Sequence, residues 1–164
     1  MPGEHFVIKQ LGVLVLVALA ACGGTTGKSP AAPGPVTSPR GTVEQFLQAV
    51  ADSNLQKMAS LWGTAAGPAA KTNQPPDYKR RVAVIQAYLK NEGTAVTGDA
   101  PDGSPDRHLV QVELRRDLCT KVVPFTVIRL ADGTWLVNQV DLEAAGNPAR
   151  PCIQGNERDT TTSH

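Results

Sequence analysis

The sequence predicts an α+β domain with N-terminal helices packed on one face of a curved antiparallel sheet of about four strands. Three observations predict it. Apolar residues between positions 42 and 89 recur at helical spacing. Those between 94 and 142 alternate at strand spacing. The strands follow one another directly and are separated by Gly- and Asp-rich turns, the order of an antiparallel sheet with helices segregated to one side.

The first helix is expected to start at Thr42. Thr42 and Gln45 have capping-box spacing, and Val43, Phe46, Leu47 and Val50 form one apolar face. Ser53 or Asn54 breaks this helix and caps a second, whose buried face is Leu55, Met58, Leu61 and Trp62 and which Gly63 ends. The Ala-, Gly- and Pro-rich stretch Thr64–Pro76 reads as loop. Asp77 caps a third helix with the stripe Tyr78, Val82, Ile85 and Leu89, stopped by Gly93.

Beyond Gly93 the period changes. Thr94–Thr97 is a short strand, and Gly98–Arg107, with Pro101 and Pro105, is a hairpin or loop. In Leu109–Arg115, Val110, Val112 and Leu114 share one face. Val122–Leu130 is the third strand, with Pro124 demoting its start to an edge or bulge. The turn Ala131-Asp132-Gly133-Thr134 leads to a fourth strand, Trp135–Leu142, with Leu136, Asn138 and Val140 turned inward.

The first residues have a different character. Leu11–Ala21 has no polar side chain, yet is too short to span a hydrocarbon core of about 30 Å. It fits the apolar region of a signal peptide. Its end, Leu19-Ala20-Ala21-Cys22, resembles the lipobox of bacterial lipoproteins. That resemblance implies cleavage before Cys22, lipid on its thiol, and export to the cell membrane or outer membrane with the domain in the periplasm or outside the cell. Residues 23–40 are rich in Gly and Pro and cannot form a packed core, so they read as a flexible tether. The expected organisation is residues 1–21 leader, 22–40 lipidated cysteine and linker, 41–155 domain and 156–164 polar tail. Three cysteines are present. With Cys22 carrying lipid, Cys119 and Cys152 remain, and a disulfide between them is expected in a compartment that permits oxidation.

Two segments carry a resemblance for the domain itself. Thr42–Leu55 and Phe125–Val137 resemble the opening helices and the last hairpin of the nuclear-transport-factor-2-like, or cystatin-like, cone. The likeness covers roughly Thr42 to Leu142. It implies a cone-like sheet. It also implies, for members that are cyclases or dehydratases, an Asp/His pair acting inside the concavity.

Charge limits the function classes. With 16 Lys+Arg against 15 Asp+Glu the chain lacks the basic excess that displaces counterions from nucleic acid, and no nucleic-acid partner is expected. Asp99, Asp102, Asp106 and His108 lie close in sequence, but their spacing is not that of a calcium loop and the prolines indicate a solvated turn, so no metal and no cofactor is expected. The candidate acid–base residues are His108, at a strand start, and Asp141, which a one-residue slip would turn inward. Lys79-Arg80-Arg81 opposes the dipole of the third helix and is a candidate for anionic headgroups or an acidic partner. Tyr78, Trp62 and Trp135 could line a pocket or fill the core. The favoured expectation is a non-catalytic, membrane-tethered module, anchored to lipid through Cys22, that binds an envelope protein or a small apolar ligand. An enzyme of the cyclase or dehydratase kind is the alternative, and a structural envelope protein the third.

Overall fold

The first helix begins three residues before its capping-box spacing predicts. In the computed structural model, which describes residues 37–150, helix α1 runs Pro39–Ala51. Ser38 is its N-cap, the hydroxyl accepting from Gly41 N at 3.1 Å, and Pro39 supplies a first helical residue whose φ is already set. Thr42 Oγ1 therefore donates to the Ser38 carbonyl at 2.8 Å, and Gln45 Oε1 is left buried without a partner. Helix α2, Leu55–Leu61, is capped by Asn54, whose side chain accepts from Lys57 N at 2.9 Å. Helix α4, Tyr78–Leu89, carries the expected stripe of Tyr78, Val82, Ile85 and Leu89, all buried.

The stretch expected as loop is instead a small hairpin, β1 Gly63–Thr64 with β2 Gly67–Pro68, followed by one turn of helix, α3 Ala69–Thr72. Gly63 does more here than end a helix. A Cβ at this position would collide with the Gly67 carbonyl across the hairpin, so the close approach of the two backbones requires glycine.

The main sheet is β3 Gly93–Ser104, β4 Arg107–Arg116, β5 Cys119–Arg129 and β6 Trp135–Val140, all antiparallel and in that spatial order, followed by a short helix α5, Leu142–Ala145. The α+β class holds, but the curved, cone-like sheet does not. The four strands form an open meander whose order closes no ring, and the other two strands form a separate two-stranded sheet.

Three local expectations are also revised. Gly98–Ser104 is strand rather than loop, because β3 is an edge strand where Pro101 removes no interior ladder bond. Pro124 lies within β5, opposite Gln111. Its carbonyl accepts from Asp141 N at 3.0 Å, so this side of Pro124 faces the end of β6, where a missing N–H costs no ladder bond. The last strand stops at Val140, and Asp141 caps α5, its carboxylate accepting from Ala144 N at 2.9 Å.

One face of the sheet carries the core. Val110, Val112 and Leu114 on β4 and Val123, Phe125 and Val127 on β5 are fully buried beneath the helices. Phe46 of α1 meets Phe125 edge to face, with ring centroids 6.3 Å apart. Arg116, at the end of β4, ties two helix termini to the sheet. Its guanidinium donates to the Tyr88 carbonyl at 3.1 Å and the Ala145 carbonyl at 2.9 Å, where the negative ends of the α4 and α5 dipoles favour a cation.

Candidate active site

Asp99 and His108 meet because of one extra residue in β3. Val96 pairs with Val112 and Gly98 with Gln111, so Thr97 has no partner of its own and forms a β-bulge. Side chains alternate along a strand, so an inserted residue reverses which of them point toward the helices. Before the bulge the even-numbered residues of β3 share a face with Val112 and Leu114; after it the odd-numbered ones do, and Asp99 lies opposite the fully buried Val110. His108 is two residues before Val110 on the same face, the diagonal neighbour of Asp99.

The resulting contact is short. His108 Nδ1 and Asp99 Oδ1 are 2.6 Å apart, with 19% and 26% of the two side chains accessible. The His108 ring also stands edge to face on Trp135 of β6, with centroids 5.1 Å apart, so it is held on two sides. An ionised carboxylate can only accept, which places the proton of a neutral imidazole on Nδ1 and leaves the lone pair on Nε2. A fixed tautomer with a free Nε2 is the arrangement a general base requires.

The other acids of this stretch disperse to separate cations. Asp102 pairs with Arg107 at 2.7 Å, and Asp106 approaches Arg129 at 3.8 Å. Among the described residues, no group of three or more His, Cys, Asp and Glu is placed to hold a metal ion. Asp141, the second acid–base candidate, is not brought to His108; its carboxylate is engaged at the start of α5. What the sequence did not single out is Asp99 as the partner of His108 and Trp135 as its support. The available signal was Gly98 within a strand pattern, which marks a bulge.

A recess lies elsewhere, between α4 and the outer edge of β6, with a volume of about 530 Å³. Tyr78, Trp62 and Trp135 are all core residues, and Trp62 also lines this recess. The basic run divides at this point. Arg81 bonds Asp77 at 2.9 Å and Lys79 lies 6.0 Å from the centre of the Tyr78 ring. Arg80 makes no hydrogen bond or ion pair among the described residues. The Arg81 guanidinium holds the Asp77 carboxyl below its ordinary range, and Arg80 adds a weaker pull at a distance. Asp132 is held down likewise by the Thr134 N–H in the turn before β6.

No protein-family model matches the chain, and no curated protein or solved structure matches it. Together with the open meander, this overturns the resemblance to the nuclear-transport-factor-2-like or cystatin-like cone. The membership in a lipoprotein family that the lipobox-like segment implied likewise finds no support in these comparisons.

The residues 1–21 read as a leader, Cys22, the linker up to residue 36 and the tail 156–164 lie outside the described residues. Cys119 is the single described cysteine, so no two described residues form a disulfide. The pairing expected with Cys152 thus falls on a residue outside the description. Among the described residues, no helix is long and apolar enough to cross a membrane.

Proposed function

We propose that the domain is an acid–base enzyme in which His108 is the general base and Asp99 its positioning residue. The observation that carries this reading is the 2.6 Å contact between His108 Nδ1 and Asp99 Oδ1, set up by the bulge at Thr97. The reaction that suits a lone imidazole base is elimination of water from a small 3-hydroxy carbonyl compound, the dehydratase kind. His108 Nε2 takes the proton beside the carbonyl. The electron pair forms the carbon–carbon double bond as the hydroxyl departs, and the same imidazolium returns its proton to that oxygen to give water. General-base catalysis of this kind contributes about 10²–10⁴-fold.

The test is a panel of short 3-hydroxyacyl thioesters incubated with the full chain, following the absorbance of the conjugated product. Turnover should vanish in His108→Ala and fall sharply in Asp99→Asn, which keeps the shape but allows the wrong tautomer. Turnover unaffected by His108→Ala, or no turnover across the panel, sinks the reading.

We also propose that the chain is exported and held at a membrane through Cys22. The apolar run Leu11–Ala21 and the small residues before Cys22 support it. Cells fed a labelled fatty acid should label the protein but not its Cys22→Ser variant; equal label in both refutes the anchor.

A further inference from the structure

We propose that the groove between α4 and β6 is a binding site for a small amphipathic carboxylate, a medium-chain fatty acid in chemical class. This site is separate from the Asp99–His108 pair and does not depend on that pair being catalytic. The apolar wall is Trp62, Ile85, Val140 and Leu142, and the rim carries Val84, an apolar side chain left 41% exposed. The volume of about 530 Å³ is within the range of small-ligand sites, about 300–1,000 Å³.

The polar end of the groove is specified by charge. Three successive cations in the first turn of a helix oppose its dipole. Two are compensated within the protein, Arg81 by Asp77 and Lys79 by the Tyr78 ring. Arg80 has no hydrogen bond or ion pair of its own, acting on Asp77 only at a distance, and it lines the groove beside the exposed amide of Gln139. A planar guanidinium with free N–H groups matches a carboxylate in two parallel hydrogen bonds, and the Gln139 amide can donate a third. The Asp77 carboxylate also lines the groove, but Arg81 holds it at 2.9 Å, so its charge is already answered. The remaining requirement of the site is therefore one negative charge on an apolar body.

The probe is dodecanoate, below its micelle-forming concentration, titrated into the full chain while amide and indole shifts are followed by NMR. Saturable binding is expected, with perturbations at Trp62, Arg80 and Gln139. Arg80→Gln should weaken it by about tenfold or more, and Arg80→Lys by less, because a point charge lacks the fork. Arg80 is exposed, so these variants should fold as the parent does, which circular dichroism confirms. Dodecanol, with the same tail and no charge, should bind more weakly than dodecanoate. No saturable binding, perturbations confined elsewhere, equal affinity for dodecanol, or indifference to Arg80→Gln would each overturn the proposal. Loss of turnover in His108→Ala bears only on the other site, so the two readings fail separately.

Discussion

The two edges of the main sheet each carry a β-bulge, and they use the extra residue differently. In β3 the inserted Thr97 stays exposed, its hydroxyl reaching only the Gln111 carbonyl at 3.4 Å. The gain appears two residues later, where Asp99 is turned to the helix side beside His108. In β6 the inserted residue is Asn138, between partners Gln139–Thr126 and Val137–Val127. Here the inserted side chain is itself the gain: its amide donates to the Gly63 carbonyl at 2.9 Å and fastens the small hairpin to the sheet. One bulge aims a polar pair at a partly open corner, and the other closes a seam. The same irregularity therefore supports opposite expectations about function and stability.

Losing the imidazole that the first bulge's pair supplies gives the largest expected effect. Removing Thr97 would leave Gly98 opposite Gln111 and Asp99 opposite Val110 and so should spare the pair, whereas His108→Ala should lose the general-base advantage, about 10²–10⁴-fold, while helix content is unchanged. Retained turnover in His108→Ala would show that the pair aimed by the bulge does not carry the chemistry. Next is Asn138→Ala, which leaves the half-buried Gly63 carbonyl facing an apolar methyl. The cost should be about 1–3 kcal/mol in denaturant unfolding. Asp99→Asn should move the same midpoint less, because its partly exposed hydrogen bond is worth only about 0.5–1.5 kcal/mol. If Asp99→Asn proves the more costly, the roles assigned to the two bulges are reversed.

The smallest effect lies in the acid limb, away from both bulges. Asp77 and Asp132 have folded pKa values below the ordinary one, Asp77 through Arg81 and Asp132 through the Thr134 N–H. Their contribution is fully present above the ordinary aspartate pKa, about 3.9, and is lost as pH falls through the lower folded values. Asp77→Asn and Asp132→Asn should each flatten stability slightly below about pH 4. Added salt should reproduce the Asp77 effect but not that of Asp132, since only the former is an exposed ion pair. An acid limb unchanged in both variants would place the titration elsewhere.

The parts of the fold written in periodicity were readable. Val43, Phe46, Leu47 and Val50 lie on a buried helix face, and Val110, Val112 and Leu114 on a buried strand face, as their spacing predicts. What periodicity does not encode is a change of phase. An inserted Thr97 or Asn138 alters no local composition, so Asp99 read as part of a solvated turn, and Trp135 and Val137 as facing away from the inward set Leu136, Asn138 and Val140. Trp135 and Val137 in fact belong to the core cluster with Val140, and Leu136 is buried as well. The fold resemblance failed for a related reason. A helix–helix opening and a Gly-turn hairpin ending in Trp are shared by many sheet topologies, and neither segment constrains how the strands between them curve or close. Of the acid–base candidates, His108 was readable as a residue at a strand start, whereas its partner required knowing the register across the hairpin.

The seam at Asn138 also bears on the order in which the chain assembles and opens. Every pair in the main sheet joins strands adjacent in sequence, so its contacts can form early, with little loop entropy to overcome. The Asn138–Gly63 bond instead joins residues 75 apart, and the parallel bridge Trp62–Val137 lies beside it. Residues 63–72 should therefore dock last and release first, as a unit that detaches while the meander stays paired. Amide exchange should report it: the Ala69 N–H, bonded to the Trp62 carbonyl at 2.9 Å, should exchange through this local opening, well ahead of the amides of β4 and β5.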